Sequence, residues 1–331
     1  MELQRLDPDD LDPRDVAGGV AVLEAARRVD SPHHAPQTAT GWTADLRFGW
    51  DGEPPVAYLH RDAAGRVDSV LQVSTSERDN KHLAYLELTV RPDVRRQGLG
   101  RALWAAGVDL ARAQSRTTVV VECWDRPHNL AFADALGLPK ATVGVNRRQV
   151  MDEVDWSRVD TLVKEAVEHS SHYELLRMPT PVPEELVDRT VAMTAAINDA
   201  PTDDIDWEDE VFSPERLRDF ERSLAEHGRR VYRLAARHRA TGDLAGQTIV
   251  AVDTELPWLG HQLDTSVLRE HRGHRLGLLL KGTMLHWLAE EEPQLLEIDT
   301  WNAASNDHMI AVNEALGYRV VGTATGFQVH V

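Results

Sequence analysis

The 331-residue sequence predicts a mixed α/β fold that is built twice along the chain. The first observation behind this prediction is an internal echo, because residues 86–100 and 263–277 repeat one pattern 177 positions apart. In each copy an acidic residue precedes a valine by three positions, and an arginine follows that valine by five. The second is that strand-like and helix-like segments follow the same order in both halves. The third is the length, which suits two domains of about 150 residues each.

The repeated segment has a form that suits a phosphorylated ligand. A strand leads into a basic, glycine-containing turn and then into a helix, and the echo aligns Arg95 with Arg272 and Gly100 with Gly277. The first turn of a helix leaves backbone N–H groups without acceptors, and the helix dipole adds partial positive charge there. Glycine lets the backbone approach a ligand, and arginine adds charge-assisted hydrogen bonds. The sequence therefore predicts two phosphate-binding turns; surface turns with solvated arginines are the alternative.

The elements of the N-terminal half follow from hydrophobic periodicity and from turn residues. A strand is expected over 3–6 and a helix over 15–29, which the proline-containing segment 31–36 ends. Alternating segments on either side of Gly65 predict a hairpin with strands over 55–60 and 67–74. The half continues with a strand over 83–90, a helix over 98–113, a strand over 117–123, a helix over 129–136 and a strand over 143–151.

The C-terminal half repeats this order. Residues 156–170 have a helical period and are expected to connect the domains, so the predicted bounds are 1–155, 156–172 for the linker, and 173–331. A strand over 173–177, helices over 184–198 and 214–227, and a hairpin with strands over 230–238 and 245–254 are expected next. They are followed by a strand over 262–267, a helix over 276–290, a strand over 297–300, a helix over 306–316 and a strand over 323–331.

Composition excludes several classes of protein. The single cysteine, Cys123, cannot form an internal disulfide, which indicates a reducing compartment. No apolar stretch is long enough to span a bilayer, and the N-terminus lacks the charged and apolar regions of a signal peptide. A cytoplasmic protein without a membrane partner is therefore expected. The formal net charge of −18 argues against a nucleic-acid partner and favours a cationic substrate.

Two motifs resemble a known family. The spacing of Arg95, Gly98 and Gly100 resembles the pyrophosphate loop of the GCN5-related N-acetyltransferases (the GNAT superfamily), and the preceding Leu88-Thr89-Val90 resembles the family's fourth strand. In the C-terminal half, Asn306 and the closing sequence 316–318 are similar to a second family signature. The resemblance covers nearly the whole chain as two tandem domains, similar to mycothiol synthase and related actinobacterial acetyltransferases. It implies two GNAT-like domains, each a mixed, largely antiparallel sheet flanked by helices.

The resemblance also implies acetyl-CoA as the donor, coenzyme A as a product and no metal. In the N-terminal half the expected donor-binding residues are Leu88, Thr89, Val90, Arg95, Arg96, Gln97, Gly98, Leu99, Gly100 and Arg101. In the C-terminal half they are Thr265, Ser266, Val267, Arg272, Gly273, His274, Arg275, Leu276, Gly277, Asn302 and Asn306. Both expected glycines favour the N-terminal turn for tight binding, whereas only the C-terminal half has the two asparagines.

Acylation of an amine requires a group that removes its proton. An alkylammonium has a pKa of about 10, so exposing the free amine at pH 7 costs roughly 4–5 kcal/mol. Glu87 and Asp264 occupy matching strand positions, and the resemblance implies that such a carboxylate is the general base. Alternation places Glu87 on one face with Thr89, and it places Asp264 on one face with Gln262 and Ser266. A merely polar outer face is the alternative for both, and a strand bulge would change the facing.

The family's frequent general acid, a tyrosine in the closing helix, has no counterpart here. Ala133 and Asn313 occupy its two places, so coenzyme A is expected to leave as a thiolate that is protonated by water or by another residue. His271 and His274 are interpreted as turn residues and not as a metal pair.

The predicted function is an N-acetyltransferase that acylates a primary amine of a small, cationic molecule. The acidic run 203–210 is interpreted either as part of an acceptor pocket of the C-terminal domain or as a solvated loop. Two other functions stay open: a coenzyme A-binding regulator or scaffold without turnover, and an acyltransferase that uses a longer acyl-CoA. A monomer or a homodimer is expected.

Overall fold

The computed structural model describes all 331 residues, which form two compact units. Unit 1 consists of Met1–Gly144, Thr202–Asp209 and Gly322–Val331, and unit 2 of Val145–Pro201 and Glu210–Val321. These bounds differ from the expected ones. Most of the acidic run and the end of the last strand, both assigned to the C-terminal domain, belong to unit 1. The expected linker 156–172 lies within unit 2.

The first part of the chain supplies most of unit 1. Its elements are β1 (Gln4–Arg5), α1 (Pro13–Asp30), α2 (Ala39–Phe48), β2 (Val56–Arg61), β3 (Val67–Ser74), β4 (Leu83–Val90), α3 (Leu99–Ala113), β5 (Thr118–Trp124) and α4 (Pro127–Leu136).

The remaining elements begin with β6 (Lys140–Val150), whose residues from Val145 onward belong to unit 2. They continue with α5 (Trp156–His169), β7 (Tyr173–Met178), α6 (Val187–Thr194), α7 (Pro214–Glu226), β8 (Arg229–His238), β9 (Leu244–Asp253), β10 (Leu259–Val267), α8 (Leu276–Glu291), β11 (Glu297–Ala303), α9 (Asp307–Ala315) and β12 (Arg319–His330). The expected helix over 184–198 is divided, because 3₁₀ turns flank α6 on both sides.

Each unit contains a mixed sheet. In unit 1 the strand order is β1-β2-β3-β4-β5-β12, in which β4 and β5 are parallel and the other neighbours antiparallel. In unit 2 the order is β6-β11-β10-β9-β8-β7, in which β10 and β11 are parallel and β7 to β10 antiparallel. The predicted mixed α/β fold with two similar domains is confirmed.

The parallel pair of each unit stops pairing before its strands end. In unit 1 the last pair is Leu86 with Val121, although β4 continues to Val90 and β5 to Trp124. In unit 2 the last pair is His261 with Asp299, although β10 and β11 both continue. Beyond these pairs the two strands no longer form backbone hydrogen bonds with each other. This leaves an opening between β4 and β5 in unit 1 and between β10 and β11 in unit 2.

Helices cover both faces of the sheet in unit 1. Leu103 of α3 packs with Leu71 and Leu86 on one face. Trp42 of α2 packs with Leu59 on the other face and is only 1% exposed. The sequence analysis did not predict α2, although Thr38 caps its N-terminus. Its buried residues Trp42, Ala44 and Leu46 recur every two positions, which does not match the helical period.

Unit 2 is built in the same way. Leu280 of α8 and Val159 of α5 pack with Val250 on one face of the sheet. Met193 of α6 and Leu217 of α7 pack on the other. No helix of either unit combines the length and the apolar character that crossing a bilayer requires.

Candidate functional site

The two turns of the echo have the same backbone conformation. Arg96 (φ 66°) and Gly273 (φ 83°) occupy matching left-handed positions, and so do Gly98 (φ 90°) and Arg275 (φ 55°). Each turn thus places glycine at one of the two positions and arginine at the other. A non-glycine residue in this region costs roughly 1–2 kcal/mol. The turn is built identically in both units despite this cost.

The arginines that align in the echo hold these turns in place. Arg95 donates from Nε to the carbonyl of Val90 (2.9 Å) and forms a two-bond ion pair with Asp30 (2.9 and 2.6 Å). Arg272 donates from Nε to the carbonyl of Val267 (3.1 Å) and from Nη2 to Asp199 (2.6 Å). Their assignment to phosphate stays a prediction; the structure places both guanidinium groups in internal contacts.

The pKa of Asp30 reflects this contact. Burial alone would raise the pKa, but hydrogen bonds from Arg95 and His128 outweigh burial and lower it. The carboxylate is therefore ionised at neutral pH and keeps Arg95 attached to the end of α1.

The helices that follow the turns begin without a side-chain cap. Neither Gly98 before α3 nor Arg275 before α8 supplies a capping side chain. Helices α4 and α6 also begin without one, whereas α1, α2, α5, α7 and α9 are capped. The first-turn N–H groups of α3 and α8 therefore have no acceptor of this kind. With the partial positive charge of the helix start they can bind an anion such as a diphosphate.

Glycine at the helix start leaves room for such a ligand. A Cβ added to Gly277 would meet no atom within 4 Å, although glycine in a helix costs roughly 0.5–1 kcal/mol relative to alanine. A Cβ at Gly100 would meet the ring of Phe132 at 3.2 Å. In unit 1, Arg96 and Gln97 are exposed beside the turn, and Arg101 donates to the carbonyl of Ala135 (3.2 Å).

The other predicted donor-binding residues lie near the same turns. Leu88 and Val90 pack toward α3, and Thr89 lies on the opposite face of β4. Ser266 is buried, and the hydroxyl groups of Thr265 and Thr248 are 2.8 Å apart. In the second turn, the carbonyl of His274 accepts from Ser170 (2.7 Å). Leu99 and Leu276 are the first residues of their helices.

The asparagines of unit 2 connect β11 with α9 and cap that helix. Asn313 is fully buried and donates from Nδ2 to Oδ1 of Asn302 (2.7 Å). Its own Oδ1 is buried and has no hydrogen-bond partner. Asn306 caps α9 by accepting from the N–H of Met309 (3.2 Å), so the structure gives it a helix-capping role.

Glu87 lies at the opening of unit 1. It is the first β4 residue beyond the last pair with β5, and its side chain reaches solvent. Protein nevertheless surrounds it closely enough that desolvation raises its pKa, and the carboxylates of Asp45 and Glu122 raise it further. The pKa of Glu122 is also raised by desolvation. The carboxylates of Asp45 on α2 and Glu122 on β5 therefore both act on Glu87 at this opening.

The sequence analysis missed Asp45 and Glu122. Glu122 is the first β5 residue beyond the last pair, and its partner on β12 is Gly326. Its position relative to Glu87 follows from the parallel register, which no local pattern encodes.

The acidic segment Thr202–Asp209 packs on unit 1, not on unit 2 as expected. Glu208 accepts from the backbone N–H of Asn80 (3.2 Å), and its own N–H donates to Oδ1 of Asn80 (2.7 Å). The ring of Trp207 contacts Tyr85 edge-on, with centroids 5.7 Å apart. Tyr85 lies on the same face of β4 as Glu87, so this segment brings its carboxylates to the face that carries Glu87.

Asp264, the counterpart of Glu87, has different surroundings. A bulge between Gln262 and Thr265 interrupts the alternation of β10, and β4 has no such bulge. Gln262 and Thr265 consequently face α8 together, so the expected grouping of Asp264 with Gln262 is wrong. Burial raises the pKa of Asp264, and the buried cation of Arg233 opposes that rise. A base beside a fixed cation is a weaker proton acceptor than Glu87.

The histidines of the second turn are bound within the protein. Nδ1 of His271 lies 2.9 Å from the hydroxyl of Tyr173. Nowhere in the structure do three or more His, Cys, Asp or Glu side chains form a group that could hold a metal ion.

Each unit thus has an uncapped helix start behind a left-handed turn, at an opening in a mixed sheet. The family model for the acetyltransferase (GNAT) family matches residues 21–137. The chain is also similar to a tandem GNAT protein from the clavulanic acid biosynthesis pathway, solved without acetyl-CoA. The identity is 28% with a TM-score of 0.80, covering 99% of this chain and 98% of that one.

A second solved structure, a GCN5-related N-acetyltransferase from Sphaerobacter thermophilus, shares the fold at 15% identity with a TM-score of 0.68. It covers 99% of this chain and 95% of that one. A search of curated proteins found no match. Residues 21–137 therefore match the acetyltransferase (GNAT) family, and the whole chain shares the fold of a tandem GNAT protein. These similarities support an acyl-CoA-dependent N-acyltransferase. The GNAT fold binds acetyl-CoA or coenzyme A.

Proposed function

We propose that the chain transfers an acetyl group from acetyl-CoA to a primary amine of a small, cationic molecule, with the reaction in unit 1 and Glu87 as general base. The observation that carries this proposal is the position of Glu87. It reaches solvent at the opening between β4 and β5, and desolvation together with two other carboxylates raises its pKa. No comparable base stands in unit 2, where Asp264 lies in the field of Arg233.

The charge around Glu87 supports a cationic acceptor. Asp45 and Glu122 influence Glu87 directly, and the acidic segment Thr202–Asp209 packs beside Tyr85 on the same face. A cleft lined by one sign of charge concentrates ligands of the opposite sign. A diamine or an amino sugar with several amines would bring one ammonium to Glu87 and leave a second among the remaining carboxylates.

The raised pKa of Glu87 suits proton removal near neutral pH. General-base catalysis is most effective when the pKa of the base approaches the working pH, and it contributes about 10²- to 10⁴-fold. Glu87 accepts a proton from the ammonium, directly or through water, and the free amine attacks the thioester carbonyl. The C–N bond forms and the C–S bond breaks. With Ala133 at the place of the family's tyrosine, water protonates the departing thiolate.

Replacing Glu87 with glutamine tests the assignment. We expect Glu87→Gln to lower kcat by about 10²-fold or more, with coenzyme A affinity changed less than about two-fold, because the base acts on the acceptor. Free-thiol release with a diamine as acceptor measures kcat, and calorimetry measures affinity. Asp264→Asn is the matched control in unit 2, and we expect it to retain turnover. Loss of turnover in Asp264→Asn with full turnover in Glu87→Gln would move the reaction to unit 2.

A further inference from the structure

We propose that unit 2 binds an acyl-CoA whose acyl group ends in a carboxylate, and that Lys281 forms the ion pair with that carboxylate. The inference rests on donor binding by the GNAT fold of unit 2. It does not depend on which acceptor unit 1 uses.

Lys281 is a buried amine without an ionic partner. It lies in the second turn of α8, is 2% exposed, and donates from Nζ to Oε1 of Gln262 (2.9 Å). Nζ also lies 4.7 Å from the ring centroid of Tyr318. Desolvation alone shifts its pKa, and no carboxylate contributes. An ammonium has three donors, and an isolated buried charge is costly, so one amide acceptor and one aromatic face leave this group under-satisfied.

The amine lies at the opening of unit 2. Gln262, its acceptor, directly follows His261, which forms the last pair between β10 and β11. The amide of Gln262 is itself fixed, because Nε2 donates to Oγ1 of Thr248 (3.0 Å) and to the carbonyl of Ile249 (2.7 Å). Lys281 is therefore held against the first β10 residue beyond the last β10–β11 pair, on the helix whose uncapped start can hold a diphosphate.

The groups around Lys281 do not supply a counter-charge. From β11, Asp299 is engaged by Arg148 through two hydrogen bonds (2.6 and 2.9 Å). From α5, Val159 and Val163 are apolar, and from the end of α9 the neighbour is Tyr318, whose pKa is raised by burial. Burial lowers the pKa of Lys281 to about 7. The carboxylate of a bound acyl group would favour the protonated form of the Lys281 amine and form an ion pair with it.

The residue type agrees with this role. The sequence contains only four lysines, at positions 81, 140, 164 and 281, so 32 of its 36 basic residues are arginine. Arginine stays charged under all conditions, whereas a buried lysine can lose its proton when no anion is present. Trp104 occupies the position in unit 1 that matches Lys281, so unit 1 has no such cation.

The test compares succinyl-CoA with butyryl-CoA, which share a four-carbon acyl chain and differ in the terminal carboxylate. Calorimetry is done on the full chain carrying Gly100→Asp, whose carboxylate repels phosphate from the helix start of unit 1. Because a hydrogen bond to a charged group is strong, we expect succinyl-CoA to bind roughly ten-fold tighter or more. Buffers of different ionisation enthalpy should show proton uptake near pH 7.5 for succinyl-CoA alone.

Lys281→Met should bring the two affinities to within about two-fold and abolish the proton uptake. The exposed Lys164→Met is the matched control and should leave both unchanged. Three outcomes would each overturn the proposal. The Gly100→Asp chain could bind succinyl-CoA and butyryl-CoA equally, Lys281→Met could keep the preference for succinyl-CoA, or unit 2 could bind neither. Failure of the Glu87 proposal would appear separately, as unchanged amine turnover in Glu87→Gln.

Discussion

At the residue scale, the two candidate bases show what a sequence can specify. The position of Glu87 on a solvent-reaching face could be predicted because alternation along a strand is local, and β4 has no bulge. For Asp264 the same argument gave the wrong grouping, because a bulge lies between Gln262 and Thr265. Asp45 and Glu122 could not be predicted, since their proximity to Glu87 depends on how α2 and β5 pack.

Glu122 provides a test of these electrostatics. Glu87 must be ionised to act as a base, so kcat/KM should fall as the pH falls through its raised pKa. Because the carboxylate of Glu122 contributes to that rise, Glu122→Gln should move the acidic limb of the pH profile to lower pH. The exposed Asp109→Asn is the control and should leave the limb in place. A limb that does not move, or that moves to higher pH, would contradict the arrangement.

At the element scale, the two repeated segments agree in more detail than their sequences indicate. The strand, turn and helix were predicted twice, and the structure shows that even the left-handed positions match, with glycine and arginine exchanged. Arg95 and Arg272 each anchor a turn to an aspartate, Asp30 or Asp199. Neither aspartate is part of the sequence motif. Their contribution therefore becomes visible only once α1 and the segment after α6 are folded.

The two helix starts can be tested as a matched pair. Gly100→Asp and Gly277→Asp each place a carboxylate beside first-turn N–H groups, where it competes with phosphate; an acid at this end also favours the helix. We expect each variant to lose coenzyme A binding at its own unit by about ten-fold or more, so that calorimetry shows one site instead of two. Circular dichroism should show unchanged helix content. Two full-affinity sites in either variant would exclude that helix start as the diphosphate site.

At the scale of the whole molecule, the repeat and the fold class were predictable, but the assignment of segments to units was not. Helical and strand periods identify elements, and they contain no information about which strand an element pairs with. The last strand shows this clearly: its residues 324–330 pair with β5 of unit 1, in a register that places Gly326 opposite Glu122. The acidic segment was likewise recognised as a feature and assigned to the wrong unit.

Phe327 tests the division into units. It is 2% exposed and pairs with Val121, so Phe327→Ala should cost roughly 3–5 kcal/mol and destabilise unit 1. Hydrogen exchange followed by mass spectrometry should then show lost protection in β4 and β5. The matched variant Ile298→Ala, in the core of unit 2, should instead deprotect β9 and β10. If Phe327→Ala deprotected β9 and β10 and left β4 and β5 unchanged, the boundary at residue 173 drawn from the sequence would be the correct one.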